Sequence, residues 1–135
     1  MIPYIKQIVK AFNIPMLELS GFEADDIIGT IAKEKEKTGH QVYMVTPDKD
    51  FAQLVSDNIF IYKHSRQGNG VEIMGVPEVL EKWEIEDPLQ VIDILGMWGD
   101  AVDNIPGIPG VGEKTAKKLI KEYGSMENML DHSHE

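Results

Sequence analysis

Apolar residues between positions 3 and 12 recur with helical spacing. Ile5, Ile8, Val9 and Phe12 stand at offsets 0, 3, 4 and 7, and Pro3 suits a first helical turn. Met16 to Leu19 alternates in character and reads as a short strand. A longer helix is expected from Glu23 to Thr38, with Ala24, Ile27, Ile28 and Ile31 as its buried stripe. Lys33 to Lys37 form its solvated end, and Gly39 is placed to cap it. Gln41 to Val45 is rich in β-formers and predicts an inner strand that stops at Thr46-Pro47. A short helix over Phe51 to Val55 and a strand over Ile59 to Tyr62 follow. Gln67-Gly68-Asn69-Gly70 then predicts a tight turn into a strand at Val71 to Met74.

From Pro77 the pattern turns helical. One helix runs to about Trp83, and Asp87-Pro88 opens a second that continues through Leu95 to Trp98. A Gly/Pro hairpin from Ile105 to Gly112 leads into a helix from Glu113 to Tyr123, with Gly124 as its stop. Ser125 caps a last helix from Met126 to Leu130. Alternating helices and strands over residues 1–75 point to an α/β unit, a parallel or mixed sheet covered by helices. Residues 76–135 form a helical unit. An α/β sheet rarely opens on a crossover helix, so strands are expected upstream of residue 1.

Composition narrows the function classes. The chain has 135 residues and 42% hydrophobic residues, enough for one ordinary core. It has no cysteine, which excludes disulfides and thiolate zinc sites and fits a reducing compartment. No apolar run reaches membrane-spanning length and no secretory signal is visible, so a cytoplasmic, membrane-free protein is expected. The formal net charge of −10 argues against a nucleic-acid partner. That objection weakens if the acids gather around divalent cations, which reverse the local sign.

The acids fall in three groups. Glu23, Asp25 and Asp26 sit at a helix start after a strand. Asp48 and Asp50 lie just past the carboxyl end of another strand, and Asp100 and Asp103 stand one helical turn apart. Ligands of open α/β sheets collect beyond the carboxyl ends of the strands. Gathered there, seven carboxylates would repel one another unless hard cations such as Mg²⁺ or Mn²⁺ joined them. Two such ions suit attack of water on a phosphodiester. Each group alone also has a plain reading. Acids in a first helical turn favour the macrodipole, and the others serve as turn or N-cap residues.

The hairpin supplies the partner chemistry. Ile105 to Gly112 has the form of a helix-hairpin-helix turn. Gly110 and Gly112 allow positive φ and close approach of a phosphate, and Ile108 and Val111 pack beneath. Amides at the next helix start point at the anion. Lys114, Lys117 and Lys118 add positive charge, and Thr115 offers a hydroxyl. The plain alternative is a turn between packed helices.

Three motifs, GFEADDIIGT, VTPDKDFAQLV and GDAVDNIPGIPGVGEKTAKKLI, appear in this order. With them the chain resembles the 5′-nuclease domain of bacterial DNA polymerase I and, more broadly, the flap-endonuclease superfamily, from about Tyr4 to Leu130. The resemblance implies a PIN-like 5′-nuclease core, incomplete at its N-terminus, followed by a helix-hairpin-helix subdomain. It implies Mg²⁺-dependent 5′-3′ exonuclease and flap cleavage in primer removal and repair. Glu23, Asp25, Asp26, Asp48, Asp50, Asp100 and Asp103 match the family's metal-binding acids, and Gly107 to Lys118 match its duplex-holding region, with a K⁺ ion on backbone carbonyls.

Two departures stand out. Val102 occupies the place of a serine, and the family's first strands, two further aspartates and strand-clamping arch are absent. The expectation is therefore a piece of a polymerase-type polypeptide that cleaves little or no DNA alone. The rival expectations are a nuclease without polymerase domains and a module that only binds duplex DNA.

Overall fold

The computed structural model describes residues 1–65 and 70–134. Helix α1 spans Ile2–Ala11 and α2 spans Ala24–Lys37. Strand β1 (Val42–Val45) leads through a 3₁₀ helix (Asp50–Leu54) to β2 (Ile59–His64) and β3 (Val71–Met74). Helices α3 (Val76–Trp83) and α4 (Gln90–Trp98) follow. A small ladder of β4 (Gly99–Asp100) and β5 (Ile105–Pro106) comes next, and α5 (Glu113–Tyr123) and α6 (Met126–Asp131) end the chain. The larger sheet has order β1-β2-β3, with β1 parallel and β3 antiparallel to β2. It is the mixed sheet expected. The turn expected at Gln67-Gly68-Asn69-Gly70 lies largely outside the described residues.

The core forms where the sheet meets the helical half. Ile59 from β2, Val79 from α3, Val91, Ile94 and Met97 from α4 and Ile120 from α5 are almost wholly buried. Each such side chain contributes about 1.5–3 kcal/mol relative to exposure. Helix α4 packs on both α5 and the 3₁₀ helix, so it joins the two halves of the chain. Among the described residues, no helix is long and apolar enough to cross a membrane.

Expectations for Met16 to Leu19, β1 and α2 need correction, and α1, which forms as expected, leaves its apolar face open. Met16 to Leu19 is not a strand, because it has no ladder partner among the described residues, and Leu17 stays 66% exposed. Strand β1 is an edge strand within the described residues, not an inner one, and Tyr43 and Val45 are exposed. The apolar face of α1 is uncovered, with Ile5, Ile8 and Phe12 exposed. The burial of α2 also shifts from the expected stripe. Ala32 is its one buried residue, Ile27 and Ile31 are half-buried, and Ala24 and Ile28 are exposed. Periodicity identifies the face that favours burial, but a partner must lie against it. Here α2 lies on β1, β2 and the 3₁₀ helix, with Gly29 close to Leu54.

The β4–β5 ladder folds residues 101–104 into a turn. It pairs Gly99 with Pro106 and Asp100 with Ile105, and the Ile108 amide donates to the Met97 carbonyl at 2.8 Å. Backbone meets backbone here. A Cβ on Gly107 would lie 2.3 Å from the Trp98 carbonyl oxygen. Gly110 is the opposite case, with open space around it but φ at +84°. Gly107→Ala is expected to destabilise by about 3 kcal/mol or more, because rigid backbone must move. Gly110→Ala should cost about 1–2 kcal/mol, the left-handed penalty alone. Urea denaturation of both variants checks the difference, and equal costs would contradict the close-packed crossing.

Candidate metal centre and nucleic-acid interface

Strand β1 ends at Val45, and the chain turns at once. The Asp48 amide donates to Thr46 Oγ1 at 3.1 Å, and the Asp50 amide donates to Asp48 Oδ1 at 3.0 Å. These local bonds favour a turn over strand continuation. They aim Asp50 inward at the start of the 3₁₀ helix while Asp48 stays exposed. From the other half of the chain, β4 delivers Asp100 and the turn after it delivers Asp103. Carboxylate oxygens of Asp50, Asp100 and Asp103 all lie within 4.8 Å of one another. Asp100 and Asp103, one helical turn apart by spacing, meet across the turn after β4, because α4 ends at Trp98 as the sequence suggested.

Electrostatics mark Asp50 as the unusual member. Its Oδ1 is buried and has no hydrogen-bond partner among the described residues. Burial raises its pKa above the ordinary value, and the neighbouring Asp48 charge adds to the rise. Asp100 behaves in the opposite way. Its hydrogen bond from Lys49 holds its pKa low, helped by the Val102 amide, which donates to Oδ1 at 2.8 Å. Lys49 Nζ lies 2.7 Å from Asp100 Oδ2 and 4.5 Å from the centroid of the Trp98 ring. The same Asp100 bond raises the Lys49 pKa.

The first acidic group reaches the neighbourhood only in part. Asp25 and Asp26, from the first turn of α2, line a cleft together with Asp50, Phe51 and Gln53. Asp26 also caps its own helix, where its Oδ2 accepts the Glu23 amide at 3.1 Å. Glu23 is exposed and is not among the residues lining that cleft. The donor set nevertheless fits a hard cation: all oxygen, all carboxylate, with one buried oxygen unpartnered.

The hairpin places its predicted residues unequally. Val111 packs against the core, while Gly110 and Gly112 have open space on the side where a Cβ would stand. Gly112 caps α5 with φ at −96°, so of this pair only Gly110 adopts the positive φ expected of both. Lys114, Thr115 and Lys118 are exposed on α5. Lys117 is not, with its side chain only 13% exposed. Its Nζ lies 2.9 Å from Glu113 and donates to the Lys82 carbonyl at 3.1 Å, and it stands 5.8 Å from the Trp83 ring centroid. Gly107 is spent on the backbone crossing with Trp98.

Lys49 and Trp98 were absent from the predicted site. A lysine between two aspartates, just past a strand, is the signal that could have flagged the first. For Trp98 only the fold brings the ring under the ammonium.

A family model for the N-terminal resolvase-like domain of 5′-3′ exonucleases matches residues 1–84, and one for their C-terminal SAM fold matches residues 86–135. DNA polymerase I of Rhizobium leguminosarum is 46% identical over 97% of this chain and 12% of its own length. A 5′-3′ exonuclease of Aquifex aeolicus is 44% identical over 96% of this chain and 43% of its own length. The fold is shared with a bacteriophage T5 flap endonuclease solved with DNA and metal ions, at a TM-score of 0.82 and 23% identity. That match covers 96% of this chain and 47% of the phage protein. The chain therefore spans less than half the length of each of these relatives. Three carboxylates from two halves of the chain, a glycine-rich hairpin beside them and two successive family matches lead to one assignment: the chain belongs to the 5′-3′ exonuclease family.

Proposed function

We propose that this chain supplies the metal-binding and duplex-holding parts of a 5′-3′ exonuclease and flap endonuclease acting on DNA in primer removal and repair. The observation that carries the reading is the meeting of Asp50, Asp100 and Asp103, with a buried Asp50 oxygen left unpartnered. Mg²⁺ or Mn²⁺ is the fitting cofactor, because both take oxygen ligands. When bound, such ions activate water and stabilise the leaving 3′ oxygen of a phosphodiester. Asp50, Asp100 and Asp103 hold one ion. Asp25 and Asp26 face the same cleft from α2 and serve a second, with Glu23 at its margin. Asp48 fixes the backbone of Asp50 through its hydrogen bond to that amide.

The chain's own residues also prepare the site without metal. Lys49 keeps Asp100 ionised and oriented while Trp98 shields one side of the ammonium. The hairpin amides near Gly110 and Gly112, with Lys114, Thr115 and Lys118, hold duplex phosphates without reading sequence. A K⁺ ion on hairpin carbonyls belongs to the same proposal. Relatives of both kinds, DNA polymerase I and a shorter 5′-3′ exonuclease, match this chain, so either parent polypeptide suits the reading.

Metal binding is testable directly on this chain. Asp50→Asn or Asp103→Asn should weaken Mn²⁺ about tenfold or more, as read by calorimetry. Asp131→Asn, on exposed α6, should leave Mn²⁺ binding unchanged. Asp50→Asn carries a second signature. The raised Asp50 pKa means that its charged form costs the folded state, and the cost grows as pH rises above the ordinary value of 3.8. The metal-free variant should therefore be more stable than the parent at neutral pH, by about 1 kcal/mol in thermal unfolding. Mn²⁺ affinity that survives loss of Asp50 and Asp103 together would overturn the proposal.

The two kinds of lysine on α5 should also separate. Lys114→Glu with Lys118→Glu is expected to weaken binding to any duplex and to flatten its salt dependence by about one log unit per lost phosphate contact. Lys117→Ala should instead lower thermal stability and leave the salt slope nearly unchanged, because its partners are internal. Fluorescence anisotropy at several salt concentrations distinguishes the two outcomes.

A further inference from the structure

Both carboxylate oxygens of Asp100 are already claimed. Oδ1 accepts the Val102 amide at 2.8 Å, and Oδ2 stands 2.7 Å from Lys49 Nζ. Asp50, in the same trio, keeps a buried Oδ1 with no hydrogen-bond partner among the described residues. The Asp100 side chain is 12% exposed and that of Lys49 34%, so this pair is better shielded than an ordinary surface ion pair. The Lys49 ammonium therefore supplies the positive charge that keeps three close carboxylates together without metal.

A divalent cation shared by the trio conflicts with that ammonium. Both would draw on Asp100, and like charges a few ångströms apart repel strongly where water is partly excluded. The surroundings of Lys49 leave it room to move. Its backbone is set by its neighbours: the Asp48 amide donates to Thr46 Oγ1, the Asp50 amide to Asp48 Oδ1 and the Ala52 amide to the Lys49 carbonyl. Its side chain holds only Asp100 and the face of Trp98. On the other side it lines a cleft of about 500 Å³, together with Lys63, Glu72 and Lys82. A flexible four-carbon stem can turn from one wall to the other without disturbing the core.

We propose that Lys49 is a tethered counter-ion, which holds Asp100 in the metal-free chain and releases it to a divalent cation as the ammonium moves from Trp98 into the adjoining cleft. The inference rests on the metal-centre reading and adds a built-in competitor to it. Lys49 lets the acidic trio fold before metal is present. It also lowers the apparent metal affinity by the fraction of time that the pair is closed. A lysine that only positioned Asp100 for metal would act with the opposite sign, because its loss would weaken binding.

The test is a calorimetric Mn²⁺ titration of the 135-residue chain. Lys49→Met keeps the length of the side chain and removes its charge. It should bind Mn²⁺ about tenfold more tightly than the parent. Without metal it should unfold about 3 °C lower or more, and the gap should close at saturating Mn²⁺. Lys63→Met changes the net charge equally but breaks the separate pair with Glu72, so it should alter Mn²⁺ affinity less than about twofold. In the unaltered chain the Lys49 ε-methylene protons, held near the Trp98 ring, should resonate upfield and lose that shift as Mg²⁺ saturates.

Equal or weaker Mn²⁺ binding by Lys49→Met would overturn the counter-ion role and leave the metal centre in place. So would an upfield shift that persists at saturating Mg²⁺, a readout that needs no variant to fold. A gain in Lys63→Met as large as that in Lys49→Met would also overturn it, marking a general effect of net charge. Absence of Mn²⁺ binding by both parent and Lys49→Met would overturn the metal-centre reading together with this role.

Discussion

Mutual repulsion of carboxylates is the constraint around which this structure is arranged. Asp50, Asp100 and Asp103 present oxygens within 4.8 Å of one another, and Asp48 lies close enough to raise the Asp50 pKa further. Such a group is costly unless positive charge joins it. One lysine supplies part of the compensation. Lys49 reaches Asp100 at 2.7 Å and is backed by the Trp98 ring, so Asp100 is stabilised as an anion while Asp50 is not. The asymmetry explains how one cluster contains a carboxyl with a depressed pKa beside one with a raised pKa. The folded chain tolerates the strained member because its core is elsewhere, in the contacts among the buried side chains of β2, α3, α4 and α5.

Those contacts also show why the acids meet at all. Asp50 and Asp103 are far apart in sequence, and neither helix propensity nor strand pairing joins them directly. Helix α4 does so by packing on the 3₁₀ helix that begins at Asp50 and ending at the ladder that begins with Gly99. The backbone crossing of Gly107 over Trp98 then fixes the turn that carries Asp103. A metal centre built this way depends on backbone proximity more than on side-chain reach.

The elements of residues 71–134 were largely legible in the sequence. Pro77, Asp87-Pro88, Gly124 and Ser125 mark helix ends by local chemistry, and the helices start and stop within a few residues of those marks. Among the first 22 residues the helix was legible, with the pattern of residues 3–12 matching Ile2–Ala11, but the strand expected at Met16 to Leu19 does not form. Their apolar spacing is genuine, but burial requires a surface to pack against, and α1 has no buried residue. In the site, residue type identified the acids, whereas spacing misled about their geometry. Asp100 and Asp103 have the separation of one helical turn, but they lie past the helix end expected at Trp98, where Gly99 with its positive φ starts the ladder. Charge counting misled in the same way for Lys117. It is basic and lies on the right helix, but its ammonium is turned back onto Glu113 and the Lys82 carbonyl. Periodicity records which face a residue occupies, and it carries no record of which neighbour claims the charge.

The sign of the total charge is similarly uninformative about a polyanionic partner. Acids and bases here are sorted by place. The carboxylates gather where cations fit, and Lys49, Lys63 and Lys82 gather in the adjoining cleft. The boundary between them is a single ion pair, Lys49 with Asp100. The field over the acids repels anions until divalent cations are bound, while Lys114 and Lys118 give the exposed face of α5 the opposite sign. Screening confines each field to about 8–10 Å at ordinary salt, so neighbouring regions of opposite sign can act separately. A strongly negative net charge therefore does not by itself rule out a polyanionic partner, and metal occupancy decides the sign of the field over the carboxylates.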